Sequence, residues 1–235
     1  LHWTFLLILS WIMVQHLASG QGMAAGLIGV GFILTIFACV VLHELGHALM
    51  ARRFGIATRD ITLLPIGGVA RLERMPEDPH QELFVALAGP AVNLVIAIVL
   101  AIVLWFLGNI GSVLQWEVVG GDFLGKVLTV NIALVVFNLL PAFPMDGGRA
   151  LRALLVPRMG YVRATQQAAS IGQFMAILFG IVALFSNPML LFVALFVYLG
   201  AQQEAHMAQV HALLRGIPVR EAMMTNFHTL RRDDR

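Results

Sequence analysis

Long apolar runs separated by short polar breaks make up most of this chain. One run extends from Trp3 to Leu17 and stops at Ser19-Gly20-Gln21-Gly22. A second covers Met23 to Met50 and ends against Arg52-Arg53. A polar stretch then reaches Glu82, and a third run covers Leu83 to Leu107. The segment from Gly108 to Gly125 carries Glu117 and Asp122. A fourth run begins near Lys126 and breaks up at Pro141 and Pro144, after which Arg149 to Gln167 is polar. A fifth covers Ala168 to Phe185, Ser186-Asn187-Pro188 makes a turn, and a sixth covers Met189 to Gly200. A helix needs about 20 apolar residues to cross the hydrocarbon core of a bilayer, so these runs read as crossings, the first on the short side. Between the second and third, Ile61-Thr62-Leu63-Leu64 and Val69-Ala70-Arg71-Leu72 flank Pro65-Ile66-Gly67-Gly68. That predicts two short strands about a glycine turn, either a plain surface hairpin or a sheet edge that holds an extended peptide. The predicted fold is an all-α polytopic membrane protein. It has six transmembrane helices and a short membrane-associated β-hairpin after the second. Residues 1–200 form the membrane domain, and 201–217 form a helical linker ended by Gly216-Ile217-Pro218.

Composition and charge sharpen this picture. Of 235 residues, 59% are hydrophobic and 12% charged, against about 25% charged in soluble domains. The mean hydropathy is +0.85. Fourteen of the fifteen lysines and arginines fall in three segments, 51–82, 146–170 and the tail. Six crossings place all three on one side, which the excess of positive charge makes cytoplasmic, along with both termini. Only Lys126 falls opposite. The single cysteine, Cys39, excludes an intramolecular disulfide and any multi-cysteine metal site. Scattered arginines without aromatic interleaving speak against nucleic acid. No small-residue cleavage site follows the first run, so it is not expected to be a cleaved signal. The start at Leu1 leads us to expect a few residues upstream.

The second run holds His43-Glu44-Leu45-Gly46-His47. Residues four apart lie one above the other on a helix, so His43 and His47 can clamp one metal ion. Glu44 sits beside them, where it can take a proton from a water on that metal. Ionisable groups inside an apolar span are costly and usually functional. A catalytic zinc has three protein ligands and one open position. At the depth of His47, the best third candidate is Asp146, in Asn138-Leu139-Leu140-Pro141-Ala142-Phe143-Pro144-Met145-Asp146-Gly147-Gly148. Two prolines and two glycines let the backbone there turn toward the metal. A helix-capping role is the alternative for Asp146. Asn138 and Asn93 are buried amides that either satisfy the bundle internally or bind a substrate backbone. Gly89 and Pro90 read as packing residues. Cys39 reads as a small buried hydrophobe. His2, His16, His80, His206, His211 and His228 lack paired spacing and read as interfacial or solvated.

On these residues the chain resembles the site-2 proteases, a family of intramembrane zinc metalloproteases. The resemblance rests on His43 to His47, on Gly89-Pro90-x-x-Asn93, and on Pro141-x-x-Pro144-x-Asp146-Gly147-Gly148. It implies one Zn2+ held by His43, His47 and Asp146, with Glu44 as catalytic base and Asn93 and Asn138 near the active site. The implied activity is peptide hydrolysis in or near the transmembrane segment of membrane-associated proteins, releasing a regulator to the cytoplasm. A metal transporter or other non-proteolytic membrane protein using the same ligands is the rival, but the spans hold almost no other ionisable residues, and a purely structural metal site with an inert Glu44 is a third reading. Within the family, His2-Trp3-Thr4-Phe5 resembles the branch with a C-terminal CBS pair. Val219 to Thr225 resembles the start of a CBS motif, so 218–235 is expected to be its truncated beginning. Adenine nucleotide is expected only through such CBS domains. The segment from Gly108 to Gly125 is too short for the PDZ domain of another branch.

Overall fold

A computed structural model of the chain describes residues 4–64, 67–72, 78–108 and 123–214. Within them lie seven helices and two strands. In chain order these are α1 (Thr4–Ala18), α2 (Gly22–Arg53), β1 (Thr58–Leu64), β2 (Gly67–Leu72), α3 (Pro79–Phe106), α4 (Phe123–Asn138), α5 (Asp146–Met159), α6 (Tyr161–Phe185) and α7 (Met189–Leu214). The expected acidic loop with Glu117 and Asp122, His2, His228 and the segment 218–235 lie outside the described residues.

The apolar runs become helices because backbone away from water must satisfy its own hydrogen bonds. Three helices among the described residues, α2, α3 and α6, are long and apolar enough to cross a membrane. At about 1.5 Å per residue, α2 reaches about 48 Å, more than a hydrocarbon core of about 30 Å. Its last turn carries Arg52 and Arg53. α1 and α4 are apolar but shorter, and α7 turns polar after Ala201. The polar segment 149–167 is the body of α5 and the start of α6. Gly160, at φ 78°, makes the corner between them. The boundary expected at 200/201 is no break in secondary structure, because α7 runs through it without interruption.

β1 and β2 pair antiparallel, Ile61 opposite Ala70 and Leu63 opposite Gly68, with an irregularity between Thr58 and Asp60. The sheet packs on α2. α3 starts at Asp78, whose Oδ1 accepts the N–H of His80 at 2.8 Å, with Pro79 in the first turn. It is the central helix, in contact with α2, α4 and α5. α6 and α7 form a pair that packs on the turn 139–145, through Ala142, Met145, Ala176 and Val197 and through Phe143, Ala168, Ala169 and Ala201. Most of the buried apolar side chains are alanines. Lipid tails are as apolar as leucine, so helices gain by close approach, which small residues allow. Large apolar side chains such as Trp105, Phe106 and Phe185 face outward, as a lipid environment permits.

Candidate metal centre

α2 places the Nε2 atoms of His43 and His47 3.1 Å apart, with the ring planes 80° to each other. Asp146, in the first turn of α5, brings Oδ2 to 3.2 Å from His43 Nε2 and 3.1 Å from His47 Nε2. The partial positive charge of a helix N-terminus favours a carboxylate there. All three residues are buried. Their ligand atoms form a nearly equilateral triangle. Tetrahedral ligation at about 2.0–2.1 Å puts neighbouring ligand atoms about 3.3–3.4 Å apart, so the triangle is close to the size such an ion needs.

The far side of each ring decides what the near side offers. His47 Nδ1 donates to the carbonyl oxygen of Val85 at 2.7 Å. A carbonyl can only accept, so Nδ1 carries the proton, and in the neutral ring Nε2 is left with its lone pair. His43 Nδ1 donates to Asn93 Oδ1 at 3.0 Å, with the same result. Two lone pairs and a carboxylate oxygen therefore converge within 3.2 Å. Such a set repels itself unless a cation lies among its members, and its N, N, O donors with fixed tautomers suit a divalent ion such as zinc. Glu44 follows His43 on α2 and is half-buried.

Glycines make room for this arrangement. A Cβ on Gly89 of α3 would lie 2.2 Å from His47 Nε2 and 2.7 Å from His43 Nε2. Gly89 is thus a wall of the site itself and not only the helix-packing residue its sequence context suggests. Gly46 lets α2 approach α3, since a Cβ there would meet Ala88 O at 2.8 Å. A Cβ on Gly147 would meet Leu140 O at 2.2 Å, and one on Gly148 would meet Phe143 N at 2.6 Å. The Asp146-Gly147-Gly148 run is what lets the turn 139–145 fold against the start of α5 and aim Asp146 at the histidines.

The two asparagine candidates separate. Asn93 is fully buried, and its oxygen is committed to His43. Its Nδ2 has no hydrogen-bond partner among the described residues. Asn138 ends α4, is half-buried, and makes no hydrogen bond to the three ligand residues among those described. Cys39 is buried and receives Asn131 Nδ2 at 3.4 Å. Among the described residues, His43, His47 and Asp146 are the one group placed to share a metal ion, so His16, His80, His206 and His211 stand apart from it.

Sequence reasoning did not single out three residues that the structure buries. Val85 acts through its backbone carbonyl, which no side chain signals. Asn131 is fully buried on α4, bonded to Val127 O at 2.8 Å. Arg152, counted above among the cytoplasmic arginines, is 2% exposed. Its Nε donates to Glu82 Oε1 at 2.8 Å, and its Nη1 lies 3.5 Å from Glu204 Oε2. Its charge is met inside the protein and not by lipid headgroups.

Comparison with known proteins agrees with this chemistry. The family described as Peptidase family M50 matches residues 31–120 and 110–183. The chain is 40% identical over 229 residues to a zinc metalloprotease of Methanocaldococcus jannaschii, covering 96% of this chain and 63% of that protein. It is 29% identical over 158 residues to the stage IV sporulation protein FB of Bacillus subtilis, covering 67% of this chain and 51% of that one. The solved structure of a site-2 protease from Methanocaldococcus jannaschii superposes with a TM-score of 0.62 at 40% identity, over 87% of this chain and 88% of that chain. The chain thus spans less than two thirds of the length of these two relatives.

Proposed function

The chain belongs to peptidase family M50, and on that premise we propose that it is a zinc-dependent endopeptidase acting within the membrane. Its substrate is a membrane-associated protein, cut in or near a transmembrane segment, with a regulator released to the cytoplasm. The observation that carries this reading is the 3.1–3.2 Å triangle of His43, His47 and Asp146 with both imidazole Nδ1 protons tied off behind it.

Zinc held by these three residues supplies a Lewis acid for the scissile carbonyl. Glu44, next to His43, takes a proton from the attacking water and returns it to the departing amine. Asn93 and Val85 keep the two rings in the tautomer that leaves Nε2 free for the metal. Asn93 is therefore assigned to positioning His43, and Asn138 remains the candidate for a substrate contact. A helical substrate hides its carbonyls in its own hydrogen bonds and must unwind before cleavage. The β1–β2 sheet, packed on the metal-bearing helix α2, offers strand pairing to the unwound segment. We also infer six crossings, the shorter helices α1 and α4 and the apolar first half of α7 adding to α2, α3 and α6. Both termini and the metal site then lie toward the cytoplasm, a placement supported by the arginine distribution. Adenine nucleotide enters this reading only through CBS domains, on the resemblance of Val219 to Thr225 to the start of a CBS motif.

Glu44→Gln tests the assignment, with zinc content and cleavage of a single-span substrate measured on the same preparation. The expected result is unchanged zinc and cleavage reduced by about 10²–10⁴-fold. Cleavage at the wild-type rate refutes the proposal.

A further inference from the structure

The three ligand residues come from two helices that are held in place by different means. His43 and His47 lie on α2, and their ring partners Val85 and Asn93 lie on α3. These two helices are fastened at the site itself, by the two ring hydrogen bonds and by close approach at Gly46 and Gly89. Asp146 lies on α5, which takes no part in those fastenings.

A buried ion pair joins α5 to α3. Arg152, six residues beyond Asp146, donates from Nε to Glu82 Oε1 at 2.8 Å, and its Nη2 reaches the same oxygen. Glu82 is three residues before Val85, whose carbonyl holds His47. The pair thus joins α5 near Asp146 to α3 near the group that fixes a histidine. The Arg152 guanidinium also lies 5.1 Å from the centroid of Phe143, in the turn that leads into Asp146, and 5.0 Å from that of Tyr161 on α6. Its remaining nitrogen faces Glu204 on α7 at 3.5 Å. One side chain therefore touches α3, the turn before Asp146, α6 and α7.

Burying a guanidinium among apolar helices is costly, and replacing such a pair by apolar residues is often neutral or stabilising. Stability alone gives a weak reason for this arrangement. Geometry gives a stronger one, because a metal ligand must be placed to within about 0.2 Å. We propose that Arg152 is a positioning residue for the metal site. Anchored on Glu82, it holds α5 at the register along α3 where Asp146 Oδ2 closes the His43–His47 pair, and Glu204 is the link through which α7 acts on the same site. This rests on reading the three residues as a zinc site.

The test uses the whole purified chain. Zinc affinity is read by competition with a chromophoric chelator, and ligand geometry by the visible spectrum after Co2+ substitution. Glu82→Gln and Arg152→Lys are expected to weaken zinc binding about tenfold, in the range of outer-partner effects, and to shift the Co2+ bands. Glu204→Gln, at a position whose side chain is 29% exposed, is expected to fold normally and to weaken zinc binding about threefold with a smaller band shift. Wild-type affinity and spectrum in Glu82→Gln and Arg152→Lys, whatever their thermal midpoints, make the network merely structural and overturn the proposal. If those two do not fold, Glu204→Gln decides, and wild-type values there overturn it. A wild-type protein that binds no zinc, or an Asp146→Ala variant that binds it normally, refutes the underlying zinc-site reading instead.

Discussion

Replacing Gly89 by alanine adds one methyl group at the wall of the metal site, and its consequences for stability and for metal binding should diverge. The new Cβ would lie 2.2 Å from His47 Nε2 and 2.7 Å from His43 Nε2. An ordinary contact is about 3.5 Å, so His47 must withdraw by about 1.3 Å and His43 by about 0.8 Å. Both displaced atoms are side-chain tips, so the backbone need not move. Overpacking costs about 1–3 kcal/mol, and alanine recovers up to about 1 kcal/mol over glycine inside a helix. The net loss is about 0–3 kcal/mol, and the fold survives. Zinc ligation tolerates about 0.2 Å, far less than the required shift. Loss of a ligand should cost more than loss of an outer partner, so zinc affinity should fall by at least about 100-fold. Elemental analysis of purified Gly89→Ala, with a chelator titration and a thermal melt of the metal-free protein, separates the two effects. Stoichiometric zinc at wild-type affinity would refute the reasoning. It would show that α3 can retreat and that Gly89 does not wall the site.

Three further outcomes follow from the same geometry. Asn93→Ala frees the His43 ring and should lower zinc affinity by about 10–100-fold in chelator competition, whereas unchanged affinity would remove Asn93 as the group that holds His43. Gly147→Ala drives a methyl group against backbone, 2.2 Å from Leu140 O. Unlike Gly89→Ala it should destabilise the metal-free protein by about 3 kcal/mol or more, read as a lowered thermal midpoint, and a normal midpoint would show that the turn 139–145 can yield. Chelation of zinc from the wild-type protein should lower its thermal midpoint reversibly. With free zinc at 100 times the dissociation constant, the site contributes about 2.7 kcal/mol, and a melt insensitive to zinc would argue against binding to the folded state.

What the sequence determined by itself was local or statistical. Two histidines four residues apart share a helix face whatever the rest of the chain does. Apolar runs are helical wherever water is excluded. The glycines and prolines around Asp146 mark a sharp turn from their own stereochemistry. Polarity left the structure of 149–167 open, because a helix that buries an arginine against carboxylates reads the same as an exposed polar segment. Only tertiary structure brought Asp146 to His47 across 99 residues, since that distance depends on how α5 lies on α3. It alone showed Gly89 as a wall of the site, because the absence of a side chain has meaning only once a neighbour is placed. It alone chose Val85, whose contribution is a backbone carbonyl common to every residue. It also placed Arg152, which the sequence shows only as one of the cytoplasmic-side arginines, in the interior, since a charge in a sequence does not say which opposite charge will face it.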